Sequence, residues 1–357
     1  MFAKLLTLSQ ERQGIAKGDP AAGWSKEQVM PFIIPRRNVL RLTGLAAVGS
    51  LSPFLSGSAY AADPIPIGVI IPGSTSDRGW MEGGYNGMLA TEKELGNKIK
   101  ITSITDVSMA DMDQAMTALA SSNQLVVGAG GQCEAAGYKI AKRFPKVKFS
   151  IIGGGGQPPT PNYVVTDGRQ AQIAYVAGVA AAMLSKTGVV SFVGGIELPP
   201  IVNASVEFGN GAKSVNPSIK YLPTLTGDFD DVAKAKEATL AAISQGADIH
   251  YHIMNLGLRG LEQAAREKGT RIIGSYFDRC GTDPYVAFSI TGTGYMVKDQ
   301  IKRFLSDTWT SGFLPYGLEA GPEASNFVFC QPSQELSTKI EAVKKDIVNG
   351  KITTLPS

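Results

Sequence analysis

Histidine is nearly missing from this 357-residue chain, which has only His250 and His252. A Ser-His-Asp or Cys-His apparatus needs an imidazole beside its nucleophile. Both histidines instead sit in one apolar run, Asp248–Met254, where strand alternation puts them on one face. A two-histidine metal site finds no Cys, Asp or Glu nearby as a third ligand. The plainer expectation is that His252, nearer the end of the run, is a hydrogen-bonding group at or near a cleft. Cysteine is almost as scarce: Cys133, Cys280 and Cys330 are too few and odd in number for a disulfide framework. Cys280 and Cys330 could pair, but separate small buried side chains are the favoured expectation. No CxxC or Cys/His spacing supports zinc. No Walker-type GxxxxGK[ST] occurs, and the nearest approach to a dinucleotide fingerprint, Gly128-Ala129-Gly130-Gly131-Gln132-Cys133, has Cys133 where the third glycine belongs. These absences argue against catalysis, and no cofactor or metal is expected.

Charge is also sparse, at 18 % of residues, and unevenly placed. The formal net charge is +3, yet residues 1–61 hold seven bases and three acids, leaving 27 bases against 28 acids in the rest. The body of the chain is therefore close to neutral, and the concentrated basic face that nucleic acid requires is not there.

The basic excess belongs to a leader. Pro35-Arg36-Arg37-Asn38-Val39-Leu40-Arg41 precedes an uncharged stretch, Leu42 to Ala62, which closes on the small-x-small site Ala59-Tyr60-Ala61. Together these have the form of a secretory leader cleaved near Ala61, and the paired arginines resemble a twin-arginine export signal. Gly44, Gly49, Pro53 and Gly57 make the apolar stretch too broken for a ~20-residue membrane span. Met30 is an alternative start codon. The expectation is a soluble periplasmic protein of about 295 residues, enough for two lobes.

From Ile65 onward, short runs rich in Val and Ile alternate with amphipathic stretches, the pattern of βαβ units and parallel sheets. The fold class expected is α/β, with two Rossmann-like lobes joined by a hinge and a ligand cleft between them. The long Ala-rich helix Ala171–Leu184 would cross into the second sheet. The divisions expected are residues 1–61 for the leader, 63–168 plus about 284–330 for the N-terminal lobe, and 169–283 plus about 331–357 for the C-terminal lobe.

In such sheets ligands sit beyond the carboxyl ends of the strands, so the turns there carry the candidates. Asp77 and Trp80 open one helix, where a carboxylate and a large aromatic can grip a planar polar ligand by hydrogen bonding and stacking. An N-cap role for Asp77 and a core role for Trp80 are equally open. Phe229, within Gly227-Asp228-Phe229-Asp230-Asp231, repeats the pairing in the second half. Asn255 and Asp278 stand in two later turns, and Asp167–Gln170 contributes Arg169.

In these residues the chain resembles the basic-membrane-protein, or PnrA-like, substrate-binding proteins of ABC importers. The resemblance rests on Asp77-Arg78-Gly79-Trp80, on Ala141-Lys142-Arg143-Phe144-Pro145-Lys146-Val147-Lys148-Phe149, on Ala174-Tyr175-Val176-Ala177-Gly178, and on Gly227-Asp228-Phe229-Asp230-Asp231. It implies a type I periplasmic-binding-protein fold and a purine base or nucleoside as ligand. Trp80 and Phe229 would stack on the ligand while Asp77 and Asp278 anchor it, and Arg169 keeps the family's arginine. The partner implied is an ABC transporter permease, which would be the only link to the membrane. The chain departs from the family at Met81, Gly153 and Gly292, so a free base or another small planar solute stands beside a nucleoside. An exported cofactor-dependent enzyme and a ligand-sensing subunit of a membrane receptor are the alternative readings.

Overall fold

A computed structural model describes residues 63–158 and 160–356. The leader and its cleavage site lie outside the described residues. The first lobe is built from β1 (Ile65–Ile71), α1 (Trp80–Leu95), β2 (Ile99–Thr105), α2 (Met112–Ala120), β3 (Leu125–Gly128), α3 (Glu134–Arg143), β4 (Lys148–Ile152) and β5 (Tyr163–Asp167). Next, α4 (Gln170–Leu184) leads into the second lobe, with β6 (Val189–Gly194), α5 (Pro199–Val215), β7 (Lys220–Leu225), α6 (Val232–Ser244), β8 (Ile249–Ile253), α7 (Leu258–Lys268), β9 (Arg271–Ser275) and β10 (Tyr285–Thr291). The chain then returns to the first lobe for α8 (Thr293–Leu305) and β11 (Gly312–Pro315), and ends on the second with β12 (Ser325–Phe329) and α9 (Gln334–Val348).

The strand orders are β11-β5-β4-β3-β1-β2 and β12-β10-β9-β8-β6-β7. Leaving out the edge strands β11 and β12, both lobes wind their five strands in the same order, and all pairings are parallel except β10 with β12. Each sheet therefore reverses its winding beside its first strand, at β1/β3 and at β6/β8, where crevices open at the carboxyl ends.

Strand alternation sorts the core. In β1, Ile67, Val69 and Ile71 pack with Trp80, Met296 and Val297 on one face, while Ile70 joins Met116 and Ile140 on the other. In β6, Val190 and Phe192 face α4 and α5, and Val193 faces α6 and α7. Helix α4 is apolar all round and is buried almost throughout, as such a helix must be. It lies so close to α5 that a Cβ at Gly178 or Gly211 would fall 2.0 Å from a carbonyl of the facing helix.

Two expectations need correction. The return to the first lobe does not begin near 284, because β10 pairs in register with β9, Tyr285 opposite Ile272 and Ser289 opposite Ser275. Only α8 and β11 belong to the first lobe, and the short strands β11 and β12 each form an edge of one sheet. The crossing comes at Gly292, whose N–H donates to Ala324 O at 2.8 Å and whose Cα passes so near the returning chain that a Cβ would sit 2.0 Å from Glu323 O. Cys280 and Cys330, expected as separate side chains, form a disulfide with Cα atoms 5.0 Å apart. The antiparallel β10–β12 ladder places Cys330 beside the β9–β10 turn, with its N–H on Val286 O at 2.9 Å. Cys133 is the buried free thiol, and desolvation pushes its ionisation far upward. Among the described residues, no helix is long and apolar enough to cross a membrane.

Candidate functional site

The loops at the carboxyl ends of both sheets meet around one cavity. From the first lobe it is lined by Trp80 and Met81 after β1, Gly131 and Gln132 after β3, Gly153 after β4 and Gln170 after β5. From the second come Leu198, Pro200 and Ile201 after β6, Phe229 after β7, Ile253 and Asn255 at the end of β8, and Tyr276 after β9. The wall carries aromatic rings from both lobes and three side-chain amides, and none of its residues is ionised. Such a surface suits a flat, neutral ligand with both donors and acceptors on its edge, because amides offer both while the rings cover its faces.

Asp77 organises the turn that delivers Trp80. It is 1 % exposed; Oδ1 accepts from Gly79 N at 2.8 Å and Glu82 N at 2.9 Å, and Oδ2 accepts from Met81 N at 3.0 Å. These N–H groups are the orphan donors at the start of α1, so the carboxylate acts as its cap. Burial raises the Asp77 carboxyl above its ordinary range; the three hydrogen bonds oppose that rise, and the like charge of Asp230 adds to it. Arg78, in the left-handed region at φ 57°, turns the chain sharply and donates its N–H to Glu82 Oε2 at 2.8 Å.

Trp80 is fixed on three sides. Its Nε1 donates to Ala129 O at 3.1 Å, and Tyr276 meets it edge-on with centroids 6.0 Å apart. On the third side its ring lies against Gly153, where a Cβ would fall 2.6 Å from Trp80 Cζ2. Gly153 stands where relatives were expected to carry an acid, and the indole takes the space that side chain would need. Phe229 is held in the same way in the second lobe: a Cβ at Gly195 would fall 2.1 Å from its Cδ1. The carbonyl of Phe229 accepts from Asn255 N and Gly257 N, both at 3.0 Å, which ties the two candidates together. Asn255 is 5 % exposed and reaches the opposite lobe, its Oδ1 lying 2.9 Å from where a Cβ on Gly79 would be.

Arg169 and Asp278 lie outside the wall. Arg169 adopts φ 46° at the start of α4, its N–H on Asp167 Oδ1 at 2.8 Å and its Nε 3.7 Å from Glu319 Oε1, which joins two of the segments that cross between lobes. Asp278 is exposed and accepts from Cys280 N at 2.8 Å, closing its own turn. In both turns the cavity takes an uncharged neighbour instead, Gln170 and Tyr276. Gln132 was likewise overlooked. All three stand in turns that follow strands, and the side chains these turns give to the cavity are uncharged.

The histidines do not build a site. His250 is buried between Ser191 Oγ, 2.7 Å from Nδ1, and Thr270 Oγ1, 2.9 Å from Nε2. His252 is fully buried and neither ring nitrogen meets a hydrogen-bond partner, so the expectation of a hydrogen-bonding group at the cleft fails. Burial pushes its ionisation down to about 3, with the nearby Arg279 charge acting in the same direction. Among the described residues, no group of three His, Cys, Asp or Glu could hold a metal ion.

Residues 65–353 match the model of the family described as ABC transporter substrate-binding protein, PnrA-like. A purine-binding protein of Brucella abortus (strain 2308) is 27 % identical over 271 residues, covering 75 % of this chain and 76 % of that protein. An ABC transporter nucleoside-binding protein of Lactococcus lactis subsp. cremoris is 26 % identical over 304 residues, covering 78 % and 85 %. Among solved structures, an ABC transporter solute-binding protein from Aeropyrum pernix K1 superposes with a TM-score of 0.74 at 19 % identity, covering 82 % of this chain and 94 % of that one, a likeness of fold.

Proposed function

Because the chain belongs to the family of PnrA-like ABC transporter substrate-binding proteins, we propose that its cleft takes a purine base or nucleoside and delivers it to an ABC permease in an exported, periplasmic setting. Substrate-binding proteins work by closing two lobes on a ligand, and a ligand drives closure only as far as it binds the closed form better than the open one. The observation that carries the purine reading is the wall itself: Trp80 of one lobe shares it with Tyr276, Phe229 and Asn255 of the other, with Gln132 and Gln170 beside them and no ionised group among them. A purine offers two faces for aromatic contact and an edge of alternating donors and acceptors, which amides match in pairs. The names of the Brucella and Lactococcus relatives point the same way.

Isothermal titration of the purified protein with adenine, hypoxanthine, guanine, adenosine and inosine tests this, with ribose and arabinose as controls. Saturable heat with at least one purine and none with the sugars is the expected result. Silence across all five purines removes the purine reading.

A further inference from the structure

Besides the cavity wall, the two lobes meet at a second place, beside it. The turn between β9 and β10 sends Arg279 across to the first lobe, where Nη2 donates to the carbonyl of Arg78 at 2.5 Å. Arg78 belongs to the turn capped by Asp77, so the bond grips the segment that presents Trp80. The same β9–β10 turn carries Tyr276, whose ring meets Trp80. One short loop of the second lobe thus holds one short loop of the first at two points, a ligand-facing ring pair and a hydrogen bond to main chain.

Arg279 is set up for this reach. It is 8 % exposed, and its guanidinium carbon lies 5.7 Å from the Tyr285 ring centroid and 6.0 Å from that of Phe277, within the range of cation–π attraction. Tyr285 is itself fixed by donating its hydroxyl to Glu262 Oε1 at 2.6 Å. Glu262 Oε2 stands 3.8 Å from Arg78 Nη1 and so engages the same residue through its side chain. The loop is anchored at its middle, because Cys280, next to Arg279, is bonded to Cys330 at the end of β12.

We propose that Arg279, held in place by the Cys280–Cys330 disulfide, is a latch that closes on the Arg78 carbonyl and positions Tyr276 against Trp80, so that both lock the lobes around the ligand. This rests on the reading that the cleft binds its ligand by closure. The latch forms only after the lobes meet, so losing it speeds ligand release and leaves capture unchanged.

The test uses Arg279→Met, which keeps the aliphatic stem and removes the donors, Arg279→Lys, which keeps a donor, and the paired change Cys280→Ser with Cys330→Ser. Stopped-flow kinetics with whichever of the five purines the unmodified protein binds should show the dissociation rate rising about tenfold in Arg279→Met and in the double serine variant. The association rate should stay within twofold, and Arg279→Lys should recover part of the loss. Small-angle scattering without ligand gives an independent reading: Arg279→Met and the double variant should shift toward a larger radius of gyration. Should Arg279→Met fail to fold, the unmodified protein treated with a phosphine reductant replaces it. If none of the five purines binds the unmodified protein, the purine reading is lost and scattering alone judges the latch. Unmodified release rates, or unmodified scattering where no purine binds, in both Arg279→Met and the double variant would overturn it.

Discussion

The indole N–H of Trp80 donates to the carbonyl of Ala129, 3.1 Å away, and so ties the first residue of α1 to the chain just beyond β3. β1 and β3 are neighbours in the sheet, and the crevice at its switch point opens between their carboxyl ends. The bond therefore holds the ring at that crevice, in the wall of the cavity.

Replacing Trp80 with Ala should weaken purine binding by about 1–3 kcal/mol, the range found for base–aromatic stacking. Trp80→Phe should retain more than half of the lost affinity, since it keeps a ring face and gives up only the bond to Ala129. Calorimetry on both variants checks the pair, and equal affinity in Trp80→Ala and the unmodified protein would place the ligand elsewhere.

Gly195→Ala should act on the ligand through Phe229. The new Cβ would fall 2.1 Å from the ring, so Phe229 must move. Affinity should drop about tenfold, while the melting temperature falls by no more than a few degrees, because the half-buried ring can shift toward the cavity. A variant that binds normally would show that Phe229 does not touch the ligand.

Two neighbouring pairs set charge against position. Gln170→Leu should cost about tenfold in affinity, on the order of one net hydrogen bond, and Asp278→Asn should change it less than twofold, since Asp278 faces solvent and an amide oxygen can still accept from Cys280 N. Titration of the two variants side by side checks this, and the reverse ranking would restore Asp278 as a ligand contact.

Those pairs also mark how far the sequence can be read. Two α/β lobes, the crossing by α4 and the turns that hold the cavity wall follow from periodicity, because a buried parallel strand must be apolar and the turn after it must be polar or bare. Which side chain in a turn points inward depends on a few backbone angles, and periodicity does not encode them. Arg169 at φ 46° and Tyr276 at φ 72° are left-handed, so the direction of each successive side chain departs from any regular pattern. The boundary at β10 was hidden for a related reason. Nothing in Tyr285–Thr291 distinguishes the fifth strand of one sheet from an edge strand of the other until β9 is seen beside it. The disulfide was hidden by its 50-residue separation, bridged only by the β10–β12 ladder.

Asp77→Ala should destabilise the protein by about 1–2 kcal/mol, the usual cost of losing a helix cap. Three N–H groups at the start of α1 lose their acceptor. Asp77→Asn should recover part of that, since one oxygen remains. Urea unfolding should show a lower midpoint with an unchanged slope. An unchanged midpoint in Asp77→Ala would mean that water caps the helix equally well.

Acid should weaken the fold through its histidines. Burial, the first cause in each, holds His250 down to about 4 and His252 down to about 3, against 6.5 for a free imidazole. Between those values the unfolded chain binds more protons than the folded one. The histidine contribution is therefore complete above about pH 6.5, and it is lost as pH falls toward 4 and then 3, at up to ~1.4 kcal/mol per pH unit for each ring. Urea midpoints at pH 7.5, 6 and 5 measure the slope, and His252→Leu should reduce it by roughly half, one of two titrating rings being gone. A slope unchanged in that variant would assign the acid sensitivity to other groups.

The chain passes between the lobes three times, at Gly168–Arg169, at Gly292 and between Tyr316 and Ser325, and the passages touch: Gly292 N–H bonds Ala324 O, and Gln172 Oε1 accepts from Leu318 N at 3.0 Å. A single tether would let one body swivel and twist against the other. A row of three abutting ones acts like a door hung on three pins, and leaves the lobes one axis on which to swing. If the cleft closes as proposed, every stroke brings the same atoms into register, and recognition does not have to search through orientations. The family's transport partner would meet only two outlines, the shut form and the ajar one, and could tell a loaded receptor from an unloaded one by shape alone.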